Sequence, residues 1–162
     1  MTHAIIFTGL IISCNQSAHV KPYNKTIAFS KNKYVDTSIV AIIPFKEFGR
    51  FVFDSTYKAD SLTQSDFIQI DSLLTACITN YNNSLTKDNS NFHISSADYR
   101  QYVAAINNNH EKEVWINCFC DTHNIDWKKS VVIVEDGGSC YYRLKINLTR
   151  KKYYDLSVNG EA

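Results

Sequence analysis

Apolar and polar residues alternate with two different periods along this chain, and the change from one to the other divides it. Residues 38–45, SIVAIIPF, form a β-branched apolar run that ends at a proline, and residues 48–53 continue with a second short apolar stretch. Both read as strands, or as one strand and its bend. Between residues 63 and 81 the spacing becomes three and four: Phe67, Ile70, Leu74, Cys77 and Tyr81 mark one face of an amphipathic helix. Thr63 followed by Asp66 supplies its N-terminal cap. The run TNYNNSLTKDNSN then ends the helix in a polar loop.

Beyond that loop the period is two. Residues 99–106 and 113–120 flank NNNHEK, whose asparagines tolerate the positive φ of a tight hairpin. Residues 130–135 and 140–148 flank Asp136, Gly137 and Gly138, a second hairpin signal, and 153–158 is a last strand. In 140–148, Cys140, Tyr142, Leu144, Ile146 and Leu148 fall on one side and are assigned to the core. Tyr141, Arg143, Lys145 and Asn147 fall on the other. The expected fold is α+β: one helix packed on an antiparallel meander sheet of four to five strands. This order of elements resembles cystatin-like folds.

The first residues follow a different rule. Residues 4–13 carry no charge and are about as long as a signal-peptide apolar region, far short of the roughly 20 residues a spanning helix needs. Ile11, Ile12, Ser13 and Cys14 resemble the lipobox of bacterial lipoproteins. The resemblance implies cleavage before Cys14, a thioether from its sulfur to diacylglycerol, and acylation of the new amino group. Several acyl chains hold a protein on a membrane where one does not. Cys14 is followed by Asn15 and Gln16 with no acidic run beside them, which points to a periplasm-facing outer-membrane location.

The chain therefore divides into a signal peptide (1–13), a lipidated cysteine with a polar basic tether (14–35) and a single domain (36–162). The tether carries Lys21, Lys25, Lys31 and Lys33 and no acidic residue. Lysines beside a lipid anchor attract anionic head groups. Setting those four aside leaves 13 of the 17 basic residues against 16 acidic ones, so the domain is mildly acidic and lacks the charge for a nucleic-acid partner. Ten tyrosines, nine phenylalanines and two tryptophans suit a packed sheet. A second resemblance covers more of the chain. YRQYVAAINNNHEKEVWINCFC and DGGSCYYRLKINLTRKKYYDLSVNGEA are similar to small Bacteroidota lipoproteins that end in a twin glycine, an aromatic strand and a terminal VNG-x-A. That resemblance implies no activity and no cofactor.

Chemistry is sparse. Cys77, Cys118, Cys120 and Cys140 are disulfide candidates in an oxidising compartment, with Cys118 or Cys120 expected to pair with Cys77 or Cys140 rather than with each other. Cys118, Cys120, His123 and Cys140 could instead approach a metal, or Cys120 and His123 could act as nucleophile and base with Asp121 or Asp126. These form the alternative reading, a small envelope hydrolase or metal-binding protein. No GxSxG, HExxH, P-loop or GxGxxG is present. QYVAA at 101–105 differs from the QxVxG of cystatin inhibitors at Ala105 and lies inside a predicted strand, so it does not argue for protease inhibition. The favoured reading is a non-catalytic binding module that presents Trp115, Tyr141, Arg143 and Tyr153 to an envelope protein or glycan.

Overall fold

A computed structural model describes residues 35–94 and 97–160. The signal segment, Cys14 and the tether through residue 34 lie outside the described residues.

Before residue 60, three elements differ from the periodic reading. The first strand is short, β1 (Val40–Ile42). The stretch expected to continue as strand is instead a helix, α1 (Phe45–Val52). Phe45, Phe48 and Val52 step by three and four with Lys46, Glu47 and Arg50 between them, and Pro44 stands at the helix entry, where its missing N–H costs nothing. The helical period thus outweighs the β-propensity of the phenylalanines. A two-residue strand, β2 (Lys58–Ala59), follows.

The main helix forms as expected. It is α2 (Gln64–Ser84), with Thr63 as N-cap. Asp66 N–H donates to Thr63 Oγ1 at 3.3 Å, and Thr63 N–H donates to Asp66 Oδ2 at 2.8 Å, a reciprocal capping box. Lys112 Nζ adds an ion pair to Asp66 at 3.0 Å. Burial raises the Asp66 pKa, but the Thr63 and Lys112 bonds outweigh it and hold the carboxylate below its ordinary value. Its contribution is therefore full above the unfolded-state pKa and is lost as the pH falls through the lowered one. Thr63→Ala is expected to cost about 1 kcal/mol. Asp66→Asn is expected to flatten the acid limb of a urea-midpoint titration, and an unchanged limb would place the acid sensitivity elsewhere.

The strands β3 (Tyr99–Ile106), β4 (Lys112–Phe119), β5 (Tyr142–Asn147) and β6 (Lys152–Val158) form an antiparallel meander. Among the described residues the sheet has six strands, is open and is mixed: β1 runs parallel to β3, and β2 pairs antiparallel with the same outer edge of β3. The expected four to five antiparallel strands thus describe only part of it. At the β3–β4 turn the positive φ falls on His110 and not on an asparagine. Asn107 serves the turn through its side chain, with Oδ1 accepting from the N–H groups of Asn109 and Glu111.

The expected strand at 130–135 is absent, and with it the second hairpin. Its intended partner β5 already pairs with β4 on one side and β6 on the other, so no edge is open. The segment crosses a face of the sheet instead. α2 covers the other face, burying Ile70, Leu74 and Cys77 against Tyr102, Ile116 and Leu144. The alternation of 140–148 is confirmed for Tyr142, Leu144, Ile146 and Leu148, all buried on the helix side.

Candidate functional site

On the sheet face away from α2, side chains stand in cross-strand rows. Val103, Trp115 and Lys145 form one row, and Gln101, Asn117 and Arg143 the next. α1 roofs the first row, packing Phe48 on Trp115 with ring centroids 5.2 Å apart. The segment between β4 and β5 roofs Phe119 through Val132, Trp127 and Tyr141. Neither roof covers the strip between them.

That strip is an open groove of about 520 Å³. Phe48, Phe51 and Val52 of α1 line one wall, Ile133 stands in the other, and Trp115, Arg143, Lys145 and Asp155 complete the lining. Phe51 is 80% exposed and Ile133 is 55% exposed, so the groove presents apolar surface to water on both sides. Lys145 Nζ is 3.2 Å from Asp155 Oδ2 and lies over the Phe53 and Tyr154 rings at 5.7 and 5.8 Å. Asp155 reaches it from a β-bulge, with φ 53°. Arg143 is exposed, and among the described residues no carboxylate pairs with it.

The Ile133 wall is fixed from below. Gln101, fully buried, accepts from Asn117 Nδ2 and Val132 N–H through Oε1, both at 3.1 Å. Its Nε2 donates to the carbonyls of Trp127 at 2.5 Å and Ser130 at 2.8 Å. Asn117 Nδ2 also donates to Val132 O at 2.7 Å. Amide side chains thus replace the ladder bonds that 130–135 cannot make.

The predicted interface residues do not share one surface. Trp115 is 5% exposed and forms the groove floor, while Tyr141 is 8% exposed and packs with Phe119 and Val132. Tyr153 opposes Ile146 on the α2 side, where Asn80 Nδ2 donates to its hydroxyl at 2.5 Å. The bulge at Asp155 shifts the register of β6, a change that simple alternation does not reveal. Of the four, Arg143 alone is exposed in the groove.

The cysteines separate as well. Cys120 and Cys140 form a disulfide with Cα atoms 5.8 Å apart, one of the pairings expected. Cys118 lies in the opposite core, where burial pushes its thiol up to about 11 despite the Tyr142 hydrogen bond and the Arg100 charge. Cys77 is in that same core. His123 Nε2 meets Tyr141 OH at 2.8 Å, Asp121 accepts from the His123 backbone N–H, and Asp126 pairs with Lys129. Cys120 is therefore not a thiolate beside a histidine base, and among the described residues no group of three or more His, Cys, Asp or Glu side chains is placed to hold a metal.

A polar cluster that sequence reading missed surrounds Glu113, which is 4% exposed. It accepts from Asn107 and Asn147 Nδ2 at 3.2 and 3.1 Å and from the Tyr154 hydroxyl. Burial raises the Tyr57 pKa, and the Glu113 charge adds to the shift. Glu113 is fully engaged by these donors, which suits a brace between β4, β5 and β6. It shares the phase of Trp115, the side that alternation turns away from the helix, so the strand pattern does not mark it as buried.

No protein-family model, curated protein or solved structure matches this chain. What the fold and groove define, among the described residues, is an α+β domain with an open mixed sheet and an exposed apolar trough.

Proposed function

We propose that the chain is a lipid-anchored lipoprotein of the cell envelope, periplasm-facing on the outer membrane, whose domain is a non-catalytic module binding an envelope partner through the groove. The observation that carries the binding role is the exposed Phe51 and Ile133 flanking Arg143, since aromatic, aliphatic and arginine groups together give contact area with a polar handle. The anchor rests on Ile11, Ile12, Ser13 and Cys14, on the likeness to small Bacteroidota lipoproteins, and on the shortness of the apolar stretch before Cys14. Among the described residues no helix is long and apolar enough to cross a membrane. The cystatin-like part of the reading draws support from α2 lying across the β3 to β6 meander.

Cys14→Ser is expected to abolish incorporation of labelled fatty acid and to move the protein from the membrane to the soluble or unprocessed fraction, because the apolar stretch alone is too short to retain it. A Cys14→Ser variant that stays membrane-bound and still takes label would contradict the anchor.

A further inference from the structure

We infer that the groove receives the free C-terminal end of a partner polypeptide whose last residue is large and apolar, with Arg143 taking the terminal carboxylate. The inference rests on the groove being the binding face, as proposed above.

The groove sets an apolar surface beside a cation. Trp115 opposes Lys145 and Asn117 opposes Arg143, so the Arg143 backbone lies one two-residue step, about 7 Å, along β5 from the position facing Trp115. The long Arg143 side chain can cover that step, so a carboxylate close to the apolar walls, such as the last residue of a chain carries, is within its reach. The apolar group would sit between the exposed Phe51 and Ile133, above the small part of Trp115 that Phe48 leaves open, with the carboxylate over Arg143.

Charge selects the sign. Asp155 already neutralises Lys145, which leaves Arg143 as the uncompensated charge of the groove lining. A guanidinium fork matches a carboxylate in a bidentate pair, which a single neutral carbonyl cannot supply. The groove is also open, so the rest of the partner chain can leave it without a tunnel. A long alkyl tail in the same trough would remain largely wetted, so a peptide end fits better than a fatty acid.

The test uses the full chain and a fluorescent ten-residue peptide ending in phenylalanine, as the free acid and as the C-terminal amide, followed by anisotropy. The acid should bind about tenfold or more tightly than the amide. Arg143→Gln should reduce the acid to the amide's affinity and leave the amide unchanged, while Phe51→Ser should weaken both. Both sites are exposed, and thermal melts of the two variants should match the parent. Equal binding of acid and amide, or no effect of Arg143→Gln, would overturn the carboxylate assignment while leaving the groove a binding face. Displacement of the peptide by decanoate at lower concentration than by the unlabelled acid would overturn it in favour of a lipid anion. Failure of both peptides to bind would overturn the inference, and mapping the groove with a small probe then decides the binding-module reading separately.

Discussion

Gln101→Leu is expected to lower the free energy of unfolding by about 3 kcal/mol and to release the segment that walls the groove. Leucine is close in volume, so the loss is one of hydrogen bonds more than of packing. The substitution orphans two carbonyls, of Trp127 and Ser130, together with the Val132 N–H, and removes one acceptor from Asn117 Nδ2. A buried polar group left unpaired costs about 1–3 kcal/mol. Water entering beneath a loosened loop would repair part of this, so the total falls below the sum. Denaturant unfolding measures the cost, and amide exchange at Val132 shows where it falls. A loss under 0.5 kcal/mol with Val132 still protected would mean that the segment is held by Trp127 and Val132 packing alone.

The second large effect belongs to the Cys120–Cys140 disulfide. It closes a loop with a sequence separation of 20, for which chain entropy alone gives a stabilisation of about 3 kcal/mol. The paired Cys120→Ser, Cys140→Ser variant is expected to lose about that much, and reductant should destabilise the parent by the same amount without affecting the variant. Because this loop carries Val132 and Ile133, the loss should be accompanied by faster exchange in the groove wall. Alkylation of unfolded, unreduced protein should label Cys118 and spare Cys120 and Cys140. Labelling of all three would remove the disulfide.

Legibility in the sequence followed the strength of the local signal. α2 was readable because Phe67, Ile70, Leu74 and Cys77 repeat over about three turns behind a Thr63–Asp66 box. β3 and β4 were readable because their alternation is long and joined by a short polar turn. α1 was misread because eight residues hold only two turns, too few for a period to prevail over phenylalanine and valine propensities. The strand expected at 130–135 has the right composition, and only the pairing of β5 on both edges excludes it, a fact of topology no local window contains.

The site shows the same division. Arg143 was legible as an outward residue of an alternating strand, and Cys120–Cys140 as one of a few allowed pairings. Trp115 and Tyr141 lie on the expected face but are buried, because α1 and the 120–140 segment cover it where the periodic reading has strands. Tyr153 was placed on the wrong face because the bulge at Asp155 breaks alternation within β6. Phe51 was passed over for the same reason as α1: as a strand residue it had no groove to line.

The proposed binding role places the contact surface at this groove. The most direct test is an amide and indole chemical-shift map of the isotope-labelled chain titrated with 3-phenylpropionate, a small carboxylate bearing one ring. Shifts are expected to concentrate at the Trp115 indole and at Phe51, Ile133 and Arg143. Shifts centred on Ile68 of α2 or around Cys120 and His123, or no shifts at all at millimolar probe, would contradict it.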